Sequence, residues 1–137
     1  MSNNYFSPTQ KITGGALFAS FNSKEGAIYY KMLKQIANNP DKKGNFDGKN
    51  PLNVKLTQDE AADIIRAVKE KGEAKFYHTF KETKTVGSFR YYEIDKGTEG
   101  KKTGFGLSVK KTEGNQSLEI KVGFNPASAE RLKLFLK

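Results

Sequence analysis

Cysteine and tryptophan are absent from this chain of 137 residues, and histidine occurs once. The lack of cysteine excludes disulfides, thiol catalysis and zinc–thiolate sites together. No run approaches the roughly 18 apolar residues that a membrane span requires. Residues 1–10 (MSNNYFSPTQ) show no cleavable signal, so an intracellular protein, neither secreted nor membrane-bound, is expected. The glycine-bearing loops contain neither a G-x-x-x-x-G-K-[ST] nor a G-x-G-x-x-G string, which removes two familiar phosphate-cradling loops. The single imidazole, His78, shares a strand side with Phe76 and Phe80, where a hydrogen-bonded structural role is expected rather than general-base work. Asp59, Glu60 and Asp63 crowd the first turns of a helix, where they complement the positive end of its dipole without a metal. The expectation is a protein that is not an enzyme and that uses no cofactor and no metal.

What the chain does carry is positive charge. Lys and Arg total 24 against 15 Asp and Glu, a formal charge of +9. The excess is even along the sequence, +4 over residues 1–72 and +5 over residues 73–137, with no basic tail. Any basic surface must therefore be assembled by folding, and such a surface favours polyanions.

One structural phrase occurs twice. Residues 53–71 (NVKLTQDEAADIIRAVKEK) and 119–137 (EIKVGFNPASAERLKLFLK) each read as a short alternating strand, a helix-starting residue and an amphipathic helix. Thr57 with Glu60 has the spacing of a capping box. Asn125 followed by Pro126 places a capping side chain ahead of a residue whose missing N–H costs nothing there. The chain thus reads as one nucleic-acid-binding domain, 1–137, with an internal repeat over 10–72 and 73–137.

Residues 12–21 and 26–36 are apolar, aromatic runs around the turn Asn22-Ser23-Lys24-Glu25 and read as a hairpin, with a helix over 27–36 as the alternative. Residues 37–51 concentrate Asn, Asp, Gly, Lys and Pro and read as a loop, with Phe46 its anchor or a ligand contact. Four more strands are expected at 74–82, 86–94, 104–111 and 117–124. The helices are expected to bury Ala61, Ile64, Ile65 and Val68, and Ala129, Leu132, Phe135 and Leu136. The predicted fold class is α+β: a curved antiparallel sheet with two helices on one side, in the order β-β-β-α-β-β-β-β-α. The other face of the sheet is left open.

On that face alternation places Lys75, Tyr77, Thr79 and Lys81 along one strand and Ser88, Arg90 and Tyr92 along the next. Lys31 and Lys121 join them from other strands. Rings beside cations suit unpaired nucleic acid, because Lys and Arg neutralise phosphates while bases stack on aromatics. A duplex hides its base faces and would leave the rings idle. The alternatives are an RNA-binding protein and a basic module for an acidic protein partner.

The C-terminal part resembles the single-stranded-DNA-binding domain of the positive-cofactor-four (Sub-one) transcriptional coactivators and, more distantly, the Whirly proteins. The resemblance rests on Phe89-Arg90-Tyr91-Tyr92-Glu93-Ile94, on Gly100-Lys101-Lys102-Thr103 entering the strand from Phe105 to Lys111, and on Leu118–Phe124 followed by Asn125-Pro126 and a helix. It covers residues 86–137, and Ala129 stands where the coactivators carry Trp. The resemblance implies helices on the convex side of the sheet, and largely sequence-independent binding of single strands or melted duplex along the β-ribbons, in replication, recombination or transcription. It adds Arg90, Lys101, Lys102, Phe105 and Lys110 as contacts. Lys11, in Lys11-Ile12-Thr13-Gly14-Gly15-Ala16-Leu17, is similar to the KGKAAL-type contact motif of Whirly proteins. The family habit implies a homodimer, or a monomer if the internal repeat replaces the second subunit.

Overall fold

The computed structural model describes residues 2–7, 14–22, 24, 27–38, 44–95 and 97–136. The first half holds β1 (Ser2–Ser7), β2 (Gly15–Asn22), β3 (Ala27–Asn38), β4 (Gly44–Phe46), β5 (Leu52–Leu56) and α1 (Gln58–Glu70). The second holds β6 (Glu73–Phe80), β7 (Thr83–Asp95), β8 (Lys101–Glu113), β9 (Gln116–Phe124) and α2 (Pro126–Leu136). Every pairing is antiparallel.

The first sheet runs β1-β2-β3, and β4 and β5 then share the far edge of the long β3. Ile28–Met32 of β3 pair with β5, and Gln35–Asn38 pair with β4. This sheet therefore has four strand positions, as does the β6-β7-β8-β9 meander. Each sheet is followed by a helix, so the strand-then-helix grammar is repeated. The hairpin of β2 and β3 is present, and strand prevails over helix at 27–36.

Two expectations are corrected. The expected loop at 37–51 is partly strand, since β3 continues to Asn38 and Gly44–Phe46 pair back onto it. The order gains β1, which was not expected and lies ahead of the repeat boundary at residue 10. β1 has only Tyr5 and Phe6 as large apolar residues, too short an alternation to stand out. Pairing with β2 from Ser2↔Ser20 to Ser7↔Gly15 supplies the backbone partners that hold it.

The helix boundaries follow their caps. The Glu60 N–H donates to Thr57 Oγ1 (3.1 Å), and the Thr57 N–H donates to Glu60 Oε1 (2.9 Å). At the other end Lys71 adopts φ 55°, and the Gly72 N–H closes onto the Ala67 carbonyl at 2.9 Å. Asn125 Oδ1 accepts from the Ser128 N–H at 2.7 Å and starts α2. Helix α1 buries Ala61, Ile64 and Ala67, with Ile65 and Val68 half-buried; α2 buries Ala129, Leu132 and Leu136, with Phe135 half-buried.

Both helices and the inner faces of both sheets share one apolar cluster. Phe89 stacks on Phe105 with centroids 5.2 Å apart, and Phe124 meets Phe89 and Tyr5 edge-on. Burial of such a ring stabilises the fold by about 1.5–3 kcal/mol. Tyr30, from β3, is fully enclosed, and its hydroxyl has no hydrogen-bond partner among the described residues. That enclosure pushes its phenol pKa far above the usual value, because an ionised ring would be stranded without water.

Candidate nucleic-acid interface

The inner face of the second sheet takes the odd residues of β7 and β8, where Phe89, Phe105, Leu107 and Val109 are buried. Pleating then turns the even residues outward, and the register of the meander decides which of them meet. One cross-strand row is Lys75–Ser88–Ser108–Lys121. The next is Glu73–Arg90–Gly106–Gly123, and on the other side lies Tyr77–Val86–Lys110–Glu119. The centre of the face is thus paved with Ser and Gly, and cations stand around it.

The charges are unequally engaged. Lys75 pairs with Glu73 at 3.0 Å and Lys121 with Glu119 at 3.5 Å. Among the described residues no carboxylate pairs with Arg90, Lys84, Lys102 or Lys110. These are the exposed cations most available to a polyanion.

A groove of about 660 Å³ lies over the paved centre, lined by Arg90, Tyr92, Ser88, Ser108, Gly106 and Lys121 together with Ser7 of β1 and Gly14, just ahead of β2. The two sheets meet at its rim, where the Gly123 N–H donates to Ser7 Oγ at 3.0 Å. A side chain at Gly15 would stand 2.7 Å from the Lys121 carbonyl oxygen, so glycine is what permits this approach. Tyr92 lies across Gly104: a Cβ there would be 2.8 Å from the tyrosine oxygen. Over Gly106 nothing stands within 4 Å of a Cβ position, and the floor is open.

The structure distributes the expected contacts. Lys75, Tyr77, Arg90, Tyr92, Lys102, Lys110 and Lys121 share the outer face of the second sheet. Tyr77 is 58% exposed. Lys31 is exposed on the outer face of the first sheet, beside Phe18. Lys81 is not on a strand; it sits at φ 55° in the β6–β7 turn. Lys101 has the inward parity and reaches Glu93 at 3.7 Å. Phe105 is corrected outright: it is 5% exposed and stacked on Phe89 in the core, unavailable to a base. Lys11 lies outside the described residues.

Sequence reasoning missed a second group of rings and cations, on the outer face of the first sheet. Phe6 packs edge-on against Phe18 (5.6 Å) and tilted against Phe46 (5.8 Å), and the Lys55 ammonium stands 5.9 Å from the Tyr29 ring centre. The signal was present in the alternation of β2, where Phe18 falls opposite to Leu17 and Ala19. Without β1 it had no neighbour to make a face.

His78 makes the hydrogen bond expected of it. Its Nε2 lies 2.7 Å from Glu60 Oε2, tying β6 to the first turn of α1. Among the described residues no group of three or more His, Cys, Asp or Glu could hold a metal ion, and no helix is long and apolar enough to cross a membrane.

No protein-family model and no curated protein matches the chain. Solved structures do. The Arabidopsis thaliana protein WHY1 superposes with a TM-score of 0.67 at 12% identity, over 99% of this chain and 80% of that one. The plant transcriptional regulator PBF-2 gives 0.64 at 14%, over 99% and 79%. A guide-RNA-binding protein complex bound to a gRNA gives 0.63 at 14%, over 99% and 85%. From β1 to α2, this chain has a Whirly-like fold.

Proposed function

We propose that this protein binds single-stranded DNA, or the strands of a melted duplex, largely without regard to sequence and without a chemical step. The observation that carries this reading is the outer face of the second sheet. Arg90 lines a groove floored by Ser and Gly, with Tyr92 beside it; Lys84, Lys102 and Lys110 stand on the same face, as does the exposed Tyr77, and none of these four cations has a carboxylate partner among the described residues. Phosphates meet the cations, and bases meet rings and bare backbone. Lys75, Lys121 and Lys31 add to the positive field, and duplex opening follows passively from capture of unpaired bases.

The whole chain, residues 1–137, acts as one intracellular binding domain, serving replication, recombination or transcription. Its working unit is a homodimer, or a monomer if the repeated sheet-and-helix units replace a second subunit; sedimentation equilibrium separates the two. RNA is the second reading, favoured by the similar fold of the complex bound to a gRNA.

The test is fluorescence anisotropy with a labelled strand of about 20 nucleotides, longer than the ~4–16 that one module covers. RNA of the same sequence and unlabelled duplex serve as competitors across a salt series. Tight binding that duplex competes poorly, with log affinity falling linearly in log salt, is expected. Equal affinity for duplex, or no binding at low salt, overturns the proposal.

A further inference from the structure

The groove over Gly106 is more than a positive surface, because the charged side chains in its lining can only donate. Arg90 and Lys121 line it together with Ser88, Ser108 and Ser7, whose hydroxyls both donate and accept; Ser7 Oγ already accepts from the Gly123 N–H. No carboxylate and no carboxamide side chain is among the described residues of its lining. Glu119, which pairs with Lys121, stays outside it. Glu73 is the register neighbour of Arg90 yet pairs with Lys75, leaving the Arg90 fork without an ionic partner among the described residues.

The groove has room for an unstacked base. A volume of about 660 Å³ lies within the range of roughly 300–1,000 Å³ typical of small-molecule sites. The floor at Gly106 is free of side chains, so a flat ring can lie directly on the strand backbone. Tyr92, held across Gly104, forms one wall.

A donor-rich seat selects the base edge richest in acceptors. Guanine offers O6 and N7 side by side, spaced for the two parallel N–H groups of a guanidinium. Adenine presents N7 beside an amine, so one Arg donor would face another donor. On the same edge cytosine also presents an amine, and thymine a single carbonyl beside a methyl group; the O2 and N3 of an unpaired cytosine form the competing acceptor pair, and a dC strand separates the two. We infer that this groove is a guanine-selective seat for one base of a bound single strand, read by Arg90. The inference rests on the single-strand reading and adds to it: most of the strand is held without sequence preference, and one position is read.

The test uses oligo-dT of about 20 nucleotides, and the same strand carrying well-separated single substitutions by dG, by dA, by dC or by 7-deaza-dG. The last keeps the ring, O6 and the Watson–Crick edge of guanine but lacks the N7 acceptor. Guanine is expected to raise affinity about tenfold over oligo-dT. Adenine and cytosine leave it near the oligo-dT value, and 7-deazaguanine loses most of the gain. In Arg90→Lys, which keeps the charge and loses the fork, and in Gly106→Val, which fills the floor, the ratio of dG-strand to oligo-dT affinity falls to about one. Circular dichroism checks that both variants fold, and the 7-deazaguanine comparison needs neither.

Indistinguishable affinities for the dG, dA and 7-deaza-dG strands, with oligo-dT still bound, overturn the guanine seat and leave the single-strand reading intact. A guanine preference that persists in both variants overturns its placement at this groove. No binding of any strand at low salt overturns the single-strand reading and the seat with it.

Discussion

The ring of Phe76 occupies the space where Gly87 would carry a side chain: a Cβ at 87 would overlap the ring. The two residues face each other across β6 and β7 on the inner side of the sheet, and Phe76 is buried there. Gly106, on the outer side of the neighbouring strand, has empty space instead. Two glycines in one sheet therefore have opposite reasons for their presence.

Gly87→Ala forces the Phe76 ring out of its place and is expected to cost about 1–3 kcal/mol, the usual range for an overpacked core. Gly106→Ala meets no atom and removes freedom from the unfolded chain, so it is expected to be neutral or stabilising by up to about 1 kcal/mol. Urea denaturation of both variants reads the contrast. Similar losses at the two positions would refute the assignment of one glycine to packing and the other to an open floor.

Tyr77 and Phe105 separate in the opposite sense. Tyr77→Ala is expected to weaken single-strand binding by about 1–3 kcal/mol, the value of a stacked base, with little change in the denaturation midpoint. Phe105→Ala removes a ring enclosed against Phe89 and is expected to cost about 3–5 kcal/mol of folding stability. Affinity and stability measured on the same two preparations decide the matter.

Tyr30→Phe is expected to stabilise the protein. The hydroxyl it removes is enclosed without a partner among the described residues, an arrangement that costs about 1–3 kcal/mol. The sign with pH follows from the raised phenol pKa: above pH ~10 the unfolded chain releases this proton and the folded chain keeps it. Stability from this group is complete below pH ~10 and falls as pH rises beyond it. The variant should lose less stability between pH 9 and 11 than the parent, as judged by thermal unfolding at about those values.

Glu60 holds two things at once, the Thr57 N–H and His78. Thr57→Ala removes one arm of the capping box and is expected to cost about 1 kcal/mol. Glu60→Ala removes the other arm together with the tie to β6, and should cost more. Chemical denaturation that ranks Thr57→Ala as the worse change would contradict the double role.

Lys110 is exposed beside Val86 and Glu119 and has no ion pair among the described residues. Lys110→Ala is expected to reduce the slope of log affinity against log salt by about 0.7, the share of one phosphate contact on a single strand. Stability should not change. An unaltered slope would place the strand's path away from this row.

Much of the fold was legible because its determinants are local. Thr57 with Glu60 and Asn125 with Pro126 mark helix starts within a few residues of chain, and alternation along 117–124 or 104–111 needs no partner to be read. Alternation also sorted Ser88, Arg90 and Tyr92 to one side of β7 from sequence alone. The error at Phe105 came from a resemblance, not from the alternation. The period had already grouped that ring with Leu107 and Val109, which are buried.

The sequence by itself determined both helices, their starting caps and the two sides of the strands it revealed, since these follow from backbone period and side-chain chemistry over a few residues. Tertiary structure alone decided which strands became neighbours and in what register. Only pairing across β7, β8 and β9 sets Arg90 opposite Gly106 and Ser108 opposite Lys121. Only the meeting of β1 with β9 brings Ser7 to Gly123 across most of the chain. Register is a property of two strands at once, fixed by what packs beneath them, and no single stretch of residues contains it.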